Sequence, residues 1–333
     1  MESHRMVKLI DIAKELNVSV STVSKALNDT GRVSEKLREK IKETAVRMHY
    51  YPNESARSLK TNSTTMIGVI MPDIANIFYG KLLKEIDKAA RQRGYTVIYC
   101  DSCENLENEK DYFSILSSKN VCGMIIATTC LNDFYDSVGA QENIVFIDST
   151  PSKHVKKPFI SIDNYAAAYT LTEHVFSKGY RDIMMISGHQ IDTTTEERVK
   201  GFMDCVCAHG YDGRNRVIEG EHSYGGGKAA MDQILAGNRP RAIIADNNFL
   251  AYGALSSIRN HGLAVPNDIA IACFDSIDDF DTVFIKLTSI NQPIPEIAQR
   301  AVKLIVDQIE SNDAAPESQK IYLNYTLHEG KST

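Results

Sequence analysis

The chain has 333 residues, 43% of them hydrophobic, which is enough apolar material for more than one buried core. Its formal net charge of −6 argues on its face against a nucleic-acid partner, but the charge is unevenly spread. Residues 1–62 hold 12 Lys/Arg against 8 Asp/Glu, a net +4, and the remainder holds 25 against 35, a net −10, as suits a protein that touches DNA at one end only.

Leu9, Ile12, Ala13 and Leu16 mark one face of a short N-terminal helix. Asn17 tolerates the left-handed conformation of a tight turn. Ser19 can cap a second helix whose inner face is Val23, Ala26 and Leu27. The small Ala13 lets the two helices cross closely, so residues 9–28 predict a helix-turn-helix. The start of the second helix in such a motif meets base edges in the major groove, which makes Val20, Ser21 and Lys25 the candidate base readers. Val20 suits a thymine methyl, Ser21 discriminates little, and Lys25 can donate to guanine O6/N7. Leu9, Ser19, Thr22, Ser24, Asn28 and Ser34 are expected to seat the motif on phosphates through amides and hydroxyls. A third helix is predicted from Ser34 as N-cap to about Met48, with Leu37, Ile41, Ala45 and Met48 on one stripe. The polar stretch 51–60, in which Ala56 and Leu59 are the lone inner apolar residues, reads alone as an interdomain linker. Its place behind a helix-turn-helix opens a second reading, as part of the DNA reader.

From Met66 the texture changes to short apolar strands alternating with amphipathic helices. Strands are predicted at 67–71, 96–100, 123–127, 144–148, 183–187, 242–246 and 269–275, and helices at 79–93, 107–118, 166–178, 196–210, 228–236, 250–260 and 295–310. Nearly continuous apolar strands separated by helices imply parallel sheets covered on both faces. Two sets of such units meet near residues 161–164, and 287–292 and 321–328 read as crossover segments. Polar residues just beyond strand ends are candidate ligand contacts: Asp73, Asp148, Asn247, Asn248, Asp275 and Gln292.

The residues Asp11-Ile12-Ala13, Val18-Ser19, Thr22-Val23-Ser24 and Asn28, followed by Pro52-Asn53, Ala56-Arg57 and Leu59, resemble the lactose-repressor (LacI) family of bacterial transcription regulators. The resemblance covers essentially the whole chain. It implies an α/β protein with a three-helix helix-turn-helix domain at 6–52, a hinge and linker at 53–65, and an effector-binding and dimerisation body at 66–333. The body is then two-lobed and like a periplasmic binding protein, with an N-subdomain of about 66–162 and 293–321 and a C-subdomain of about 163–290 and 322–333. In this family the hinge, here Asn53, Ala56, Arg57 and Leu59, becomes a helix only on operator DNA and lies in the minor groove. Leu59 matches the leucine wedged into the central base step, and Ala56 the small residue where two hinges pack. Such a wedge costs a few kcal/mol of unstacking, offset by contacts on the kinked duplex. Lys25 stands where most members carry arginine, keeping the charge and losing the bidentate fork.

In the cleft, Arg198 matches the arginine that grips sugar hydroxyls or a carboxylate, and Asn247 and Asp275 match further polar contacts, with Asp148 and Gln292 nearby. Phe78 and Tyr79 match aromatic lining positions. Three positions depart from the pattern: Asn248 replaces an aspartate, His222 stands where an aromatic ring often stacks, and Cys273 replaces a glycine. A sugar or sugar derivative leads as effector, with nucleosides, sugar acids and phosphorylated sugars left open.

The expected function is a sequence-specific regulator, a repressor, bound as a homodimer to pseudo-palindromic double-stranded operator DNA and controlled by a carbohydrate-like small molecule. An enzyme would need a positioned acid/base pair or metal constellation, and neither is legible; no cofactor and no catalytic residue are expected. A solute-binding protein would want a secretory signal, which Met1-Glu2-Ser3-His4-Arg5-Met6 does not begin. With no apolar run approaching the ~18–20 residues of a bilayer span and an odd number of cysteines, 7, the expected setting is the cytoplasm, with reduced thiols. The sequence reaches Thr333 without an apolar heptad tail, so a dimer is expected rather than a tetramer. Cys100 and Cys103 lack the second pair a structural zinc needs. Cys205 and Cys207 read as packing, and the glycines of 224–228 as a flexible helix start.

Overall fold

The computed structural model describes residues 7–50, 64–139, 142–152, 154, 156–237, 239–276, 285–311 and 319–333. The chain divides into two units, Met1–Thr64 and Thr65–Thr333. The first is built on α1 (Leu9–Glu15), α2 (Val20–Leu27) and α3 (Glu35–Arg47). Their apolar stripes close on Ile12, Ala13, Val23, Ala26, Ile41 and Ala45. The turn forms as its residues dictate: Asn17 takes φ 51°, and the Val18 N–H donates to the Ala13 carbonyl at 3.0 Å. The Ser19 hydroxyl accepts from the Thr22 N–H at 3.0 Å, satisfying one of the amides that a helix start leaves open. Ser34 occupies the N-cap position of α3, but its side chain makes no capping bond there.

The second unit carries two six-stranded sheets. The first has the order β11-β5-β4-β3-β1-β2 and is parallel throughout, from β1 (Met66–Met71), β2 (Thr96–Asp101), β3 (Gly123–Ile126), β4 (Ile144–Ile147), β5 (Phe159–Ile162) and β11 (Lys320–Leu323). The second has the order β12-β10-β9-β8-β6-β7, from β6 (Ile183–Ser187), β7 (Val217–Glu219), β8 (Ala242–Ala245), β9 (Ala270–Phe274), β10 (Thr288–Asn291) and β12 (Thr326–His328). It is parallel except where β12 runs against β10.

Each sheet is covered on both faces, which is why its strands are apolar at successive positions rather than at alternate ones. Val145 and Ile147 of β4 face α4 (Ile77–Gln92) and α10 (Ile294–Glu310). Ile144 and Phe146 face α5 (Leu106–Ser118) and Tyr135. In the second lobe, Ala270, Ala272 and Phe274 of β9 face α6 (Asn164–Ser177) and α7 (Thr193–Ala208). Ile271 and Cys273 face α8 (Tyr224–Leu235) and α9 (Asn248–Asn260). Among the described residues no helix is long and apolar enough to cross a membrane.

Among the described residues the chain passes between the lobes three times, at Asp163 between β5 and α6, at Gln292-Pro293 between β10 and α10, and at Asn324-Tyr325 between β11 and β12. The last crossing corrects the expected subdomain boundary at 321/322. Tyr322 and Leu323 pair with Ser161 and Ile162 in the first sheet, and the chain reaches the second only at Thr326. Strands β5 and β7 were not expected from the sequence.

The glycines at 225–227 form the first turn of α8, the helix start expected of them, and they are held there by close packing. A Cβ on Gly227 would lie 2.3 Å from the Leu250 carbonyl oxygen, and one on Gly253 would lie 2.2 Å from that of Tyr224. Glycine there lets α8 and α9 touch backbone to backbone.

Candidate functional site

Two surfaces collect the predicted residues. In the first unit, Val20, Ser21 and Lys25 are exposed along α2, and Val20 keeps 42% of its surface in solvent despite being apolar. Ser24 and Asn28 hold each other, since the Asn28 amide donates to the Ser24 carbonyl at 2.8 Å. Ser19 and Thr22 share a hydroxyl contact of 2.8 Å. Leu9, Thr22 and Ser24 are half-buried, and Asn28 and Ser34 are exposed. Asn53, Ala56, Arg57 and Leu59 lie outside the described residues.

The second surface is a cleft between the lobes with a cavity of about 220 Å³, at the C-terminal ends of the parallel strands. Phe78, Tyr79, Asp148, Arg198, His222, Asn247, Asp275 and Gln292 all line it. Asp73 does not: its carboxylate turns back to accept from the Ala75 N–H at 2.8 Å, as aspartate does in local turns.

Asp148 follows β4 and Asp275 follows β9, the third strands of their sheets, and both sit in the left-handed region at φ 62° and 53°. A non-glycine residue held there costs of order 1–3 kcal/mol, and aspartate is among the residues that tolerate it. The two strained corners turn both carboxylates into the cleft. Tyr79 donates its hydroxyl to Asp148 at 2.8 Å, and the Gln292 amide donates to Asp275 at 2.9 Å. Burial pushes both carboxyls up from the usual range, while the Arg198 guanidinium opposes that shift. Burial and then Asp148 raise the Tyr79 hydroxyl, so it stays a proton donor. Arg198 is itself buried. Its Nε donates to Asn164 at 2.8 Å, another of its nitrogens donates to the Asp246 carbonyl, and its guanidinium lies 3.9 Å from the centre of the Phe274 ring.

Several cleft residues were not singled out by sequence reasoning. Asn76 and Asp192 are N-caps, as is the expected Asn247, so α4, α7 and α9 point their N-termini at the cavity. Thr128 and Thr129 line it from the loop after β3, held from beneath by Glu109 of α5, a wholly buried carboxylate. Glu109 accepts from the Thr128 hydroxyl (2.9 Å), the Thr129 N–H (2.8 Å), the Thr129 hydroxyl (2.9 Å) and the Tyr135 hydroxyl (2.8 Å). The lobes also bond to each other around the cavity. Thr194 donates to the Asp148 carbonyl at 3.0 Å, the Thr150 N–H to the Thr193 hydroxyl at 3.2 Å, and Asn248 to Asn76 at 3.2 Å.

His222 stands between the lobes, 3.9 Å from Glu104 on one side and 3.4 Å from Asp246 on the other. Burial disfavours its charge, but Asp246, then Asp192 and Glu104, outweigh it and raise the imidazole from 6.5 to about 9. Its stabilising charge is therefore fully present below about pH 6.5 and is lost as pH rises through about 9. Urea unfolding of the chain is expected to show stability falling across that window, with a His222→Gln chain lacking this part of the fall. Equal declines in the two chains contradict the assignment.

Residues 8–53 match the family described as bacterial regulatory proteins, lacI family, and residues 172–333 match the family described as a periplasmic binding protein-like domain. The chain is 33% identical to the HTH-type transcriptional regulator DegA of Bacillus subtilis (strain 168), over 87% of each chain. It is 28% identical to the HTH-type transcriptional repressor PurR of Vibrio cholerae serotype O1 (strain M66-2), over 92% of this chain and 93% of that one. Among solved structures, the lac repressor dimer bound to operator and the anti-inducer ONPF matches with a TM-score of 0.84. That match covers 98% of this chain and 99% of that one at 24% identity, a likeness of fold.

Proposed function

The chain belongs to the LacI family of bacterial regulatory proteins and is a DNA-binding transcriptional repressor; on that premise we propose that a donor-rich, uncharged or cationic polyhydroxylated molecule, a sugar in the first instance, occupies the cleft and sets operator affinity. One observation carries this reading. Among the described residues, the buried cleft-lining atoms Asp148 Oδ1, Asn248 Oδ1 and Gln292 Oε1 have no hydrogen-bond partner, and all three are acceptors. Buried polar atoms are costly when unpaired, so the occupant must bring donors. Hydroxyl groups do so, and the Phe78–Tyr79 pair offers apolar ring faces beside them. Charge narrows the class. Glu104, Asp148, Asp192, Glu221 and Asp275 line the cavity with Arg198 and His222 as the cations facing them, which disfavours phosphorylated sugars and sugar acids. A nucleoside is the second reading, favoured by the same aromatic pair and by ribose hydroxyls.

Val20, Ser21 and Lys25 are the proposed base readers, with the hinge residues Asn53, Ala56, Arg57 and Leu59 in the minor groove of a pseudo-palindromic operator. The homodimer and the cytoplasmic setting belong to the same proposal. A thermal-shift panel of hexoses, pentoses, nucleosides, glucuronate and a sugar phosphate tests the effector class. A neutral polyol is expected to raise Tm, by an amount equivalent to about 2.7 kcal/mol at 100 times its Kd. A shift with the anionic members alone would reject it. Operator binding is tested by gel shift against the chain's own promoter region. Leu59→Ala is expected to weaken specific binding at least ten-fold while leaving non-specific binding within about two-fold, since the wedge acts only on the kinked site. An equal loss on both DNAs removes the wedge from the proposal.

A further inference from the structure

Away from the cleft, α6 and α7 pack so closely that a Cβ on Gly201 would lie 2.3 Å from the Tyr165 carbonyl oxygen. At the far end of that contact the two helices bring three unlike donors together. Cys205 and His209 lie one turn apart at the end of α7, and Glu173 faces them from α6. His209 Nε2 lies 2.7 Å from Glu173 Oε2, the Cys205 thiol lies 3.6 Å from the same oxygen, and all three ligand atoms fall within 4.8 Å of one another.

We infer that Glu173, Cys205 and His209 form a binding site for a divalent transition metal of the zinc class, independent of the effector cleft. In a tetrahedral zinc site the sulfur, nitrogen and oxygen ligands stand about 3.3–3.6 Å apart, so the thiol–carboxylate distance already fits and the imidazole needs to withdraw by about half an ångström to admit the ion. The ligand set discriminates. A thiolate with an imidazole selects zinc, cobalt or nickel over magnesium and calcium, whose preference is for oxygen alone. The geometry is held rather than loose: the His209 ring stacks on Phe176 at 4.0 Å with 9° between planes, and Cys205 is wholly buried in the core of the second lobe. Glu173 and His209 keep about half and a third of their side-chain surface in solvent, which gives the ion an entry path and leaves its fourth position to water. Ligation displaces the thiol proton to solvent, so binding tightens as pH rises toward thiol ionisation.

The test is cobalt titration of the full chain after dialysis against a chelator. The expected result is a thiolate-to-cobalt charge-transfer absorption that saturates at one ion per chain, is displaced by zinc and is unaffected by magnesium. Cys205→Ser should abolish the band. Because a core serine can loosen the lobe, Glu173→Gln and His209→Gln at the solvent-facing positions provide the second arm, each expected to weaken cobalt binding at least ten-fold with the unfolding midpoint of the metal-free chain retained. Absence of the band, its persistence in Cys205→Ser, or unchanged affinity in both glutamine variants overturns the site. None of these outcomes bears on operator or effector binding.

Discussion

Arg198→Ala is expected to destabilise the body by about 3–5 kcal/mol, the cost of removing one partner from a buried charge cluster, and to abolish any ligand-induced thermal shift. Arg198 is the cation that opposes the burial of both Asp148 and Asp275, and it ties Asn164 of α6 to the Asp246 carbonyl after β8. Without it two buried carboxylates face each other uncompensated, and each must take up a proton or draw in water. Arg198→Lys separates the two roles. It keeps the charge without the planar fork, so it is expected to recover part of the stability and none of the ligand response. Urea unfolding and the thermal-shift panel measure the two outcomes. If Arg198→Ala unfolds like the parent chain, the guanidinium is not what holds these carboxylates.

The second large effect is expected at Glu109. Glu109→Ala leaves four buried donor groups, on Thr128, Thr129 and Tyr135, short of their acceptor. With Thr128 still donating to the Cys130 carbonyl, three groups remain unsatisfied, and at about 1–3 kcal/mol each a loss of about 3–9 kcal/mol follows. Glu109→Gln should fare little better, because its amide nitrogen meets donors where a second acceptor is wanted. The loop that carries Thr128 and Thr129 lines the cleft, so ligand affinity should fall with stability. Hydrogen exchange at the Thr129 amide gives a local readout. Unchanged protection there in Glu109→Ala would show that the carboxylate does not hold the loop.

Much of this architecture is legible in the order of residues, for reasons that can be named. Strands β1, β3, β4, β8 and β9 are apolar at consecutive positions because both their faces are covered, and that pattern survives without tertiary context. Strand β5 escapes because Ser161 interrupts it, and the buried Ser161 hydroxyl is satisfied by donating to the Asp148 carbonyl and accepting from the Asn164 amide. Strand β7 is three residues at a half-exposed edge. The start of α7 runs three residues late in the sequence reading, at 196 against 193, because tertiary bonds override propensity there. Thr193-Thr194-Thr195 are modest helix formers, yet they open α7 because Thr193 and Thr194 bond across the cleft. The strand-end contacts Asp148, Asn247, Asp275 and Gln292 could be found by position. Glu109 could not, since it sits in the run Glu107-Asn108-Glu109-Lys110-Asp111, which looks like a solvated helix face.

The last crossing of the chain bears on how the protein is made. Strand β11 completes the edge of one sheet and β12 the edge of the other, and Ser332 then bonds the Thr288 amide and the Ile271 carbonyl inside the second lobe. Both lobes therefore wait for residues beyond 319. On the ribosome the three helices of residues 7–50 can form early, whereas neither half of the body is whole until β11 and β12 emerge. The three-helix head can thus fold while both lobes still lack an edge strand, and a chain cut before residue 319 would carry that head on a body whose two sheets are each one strand short.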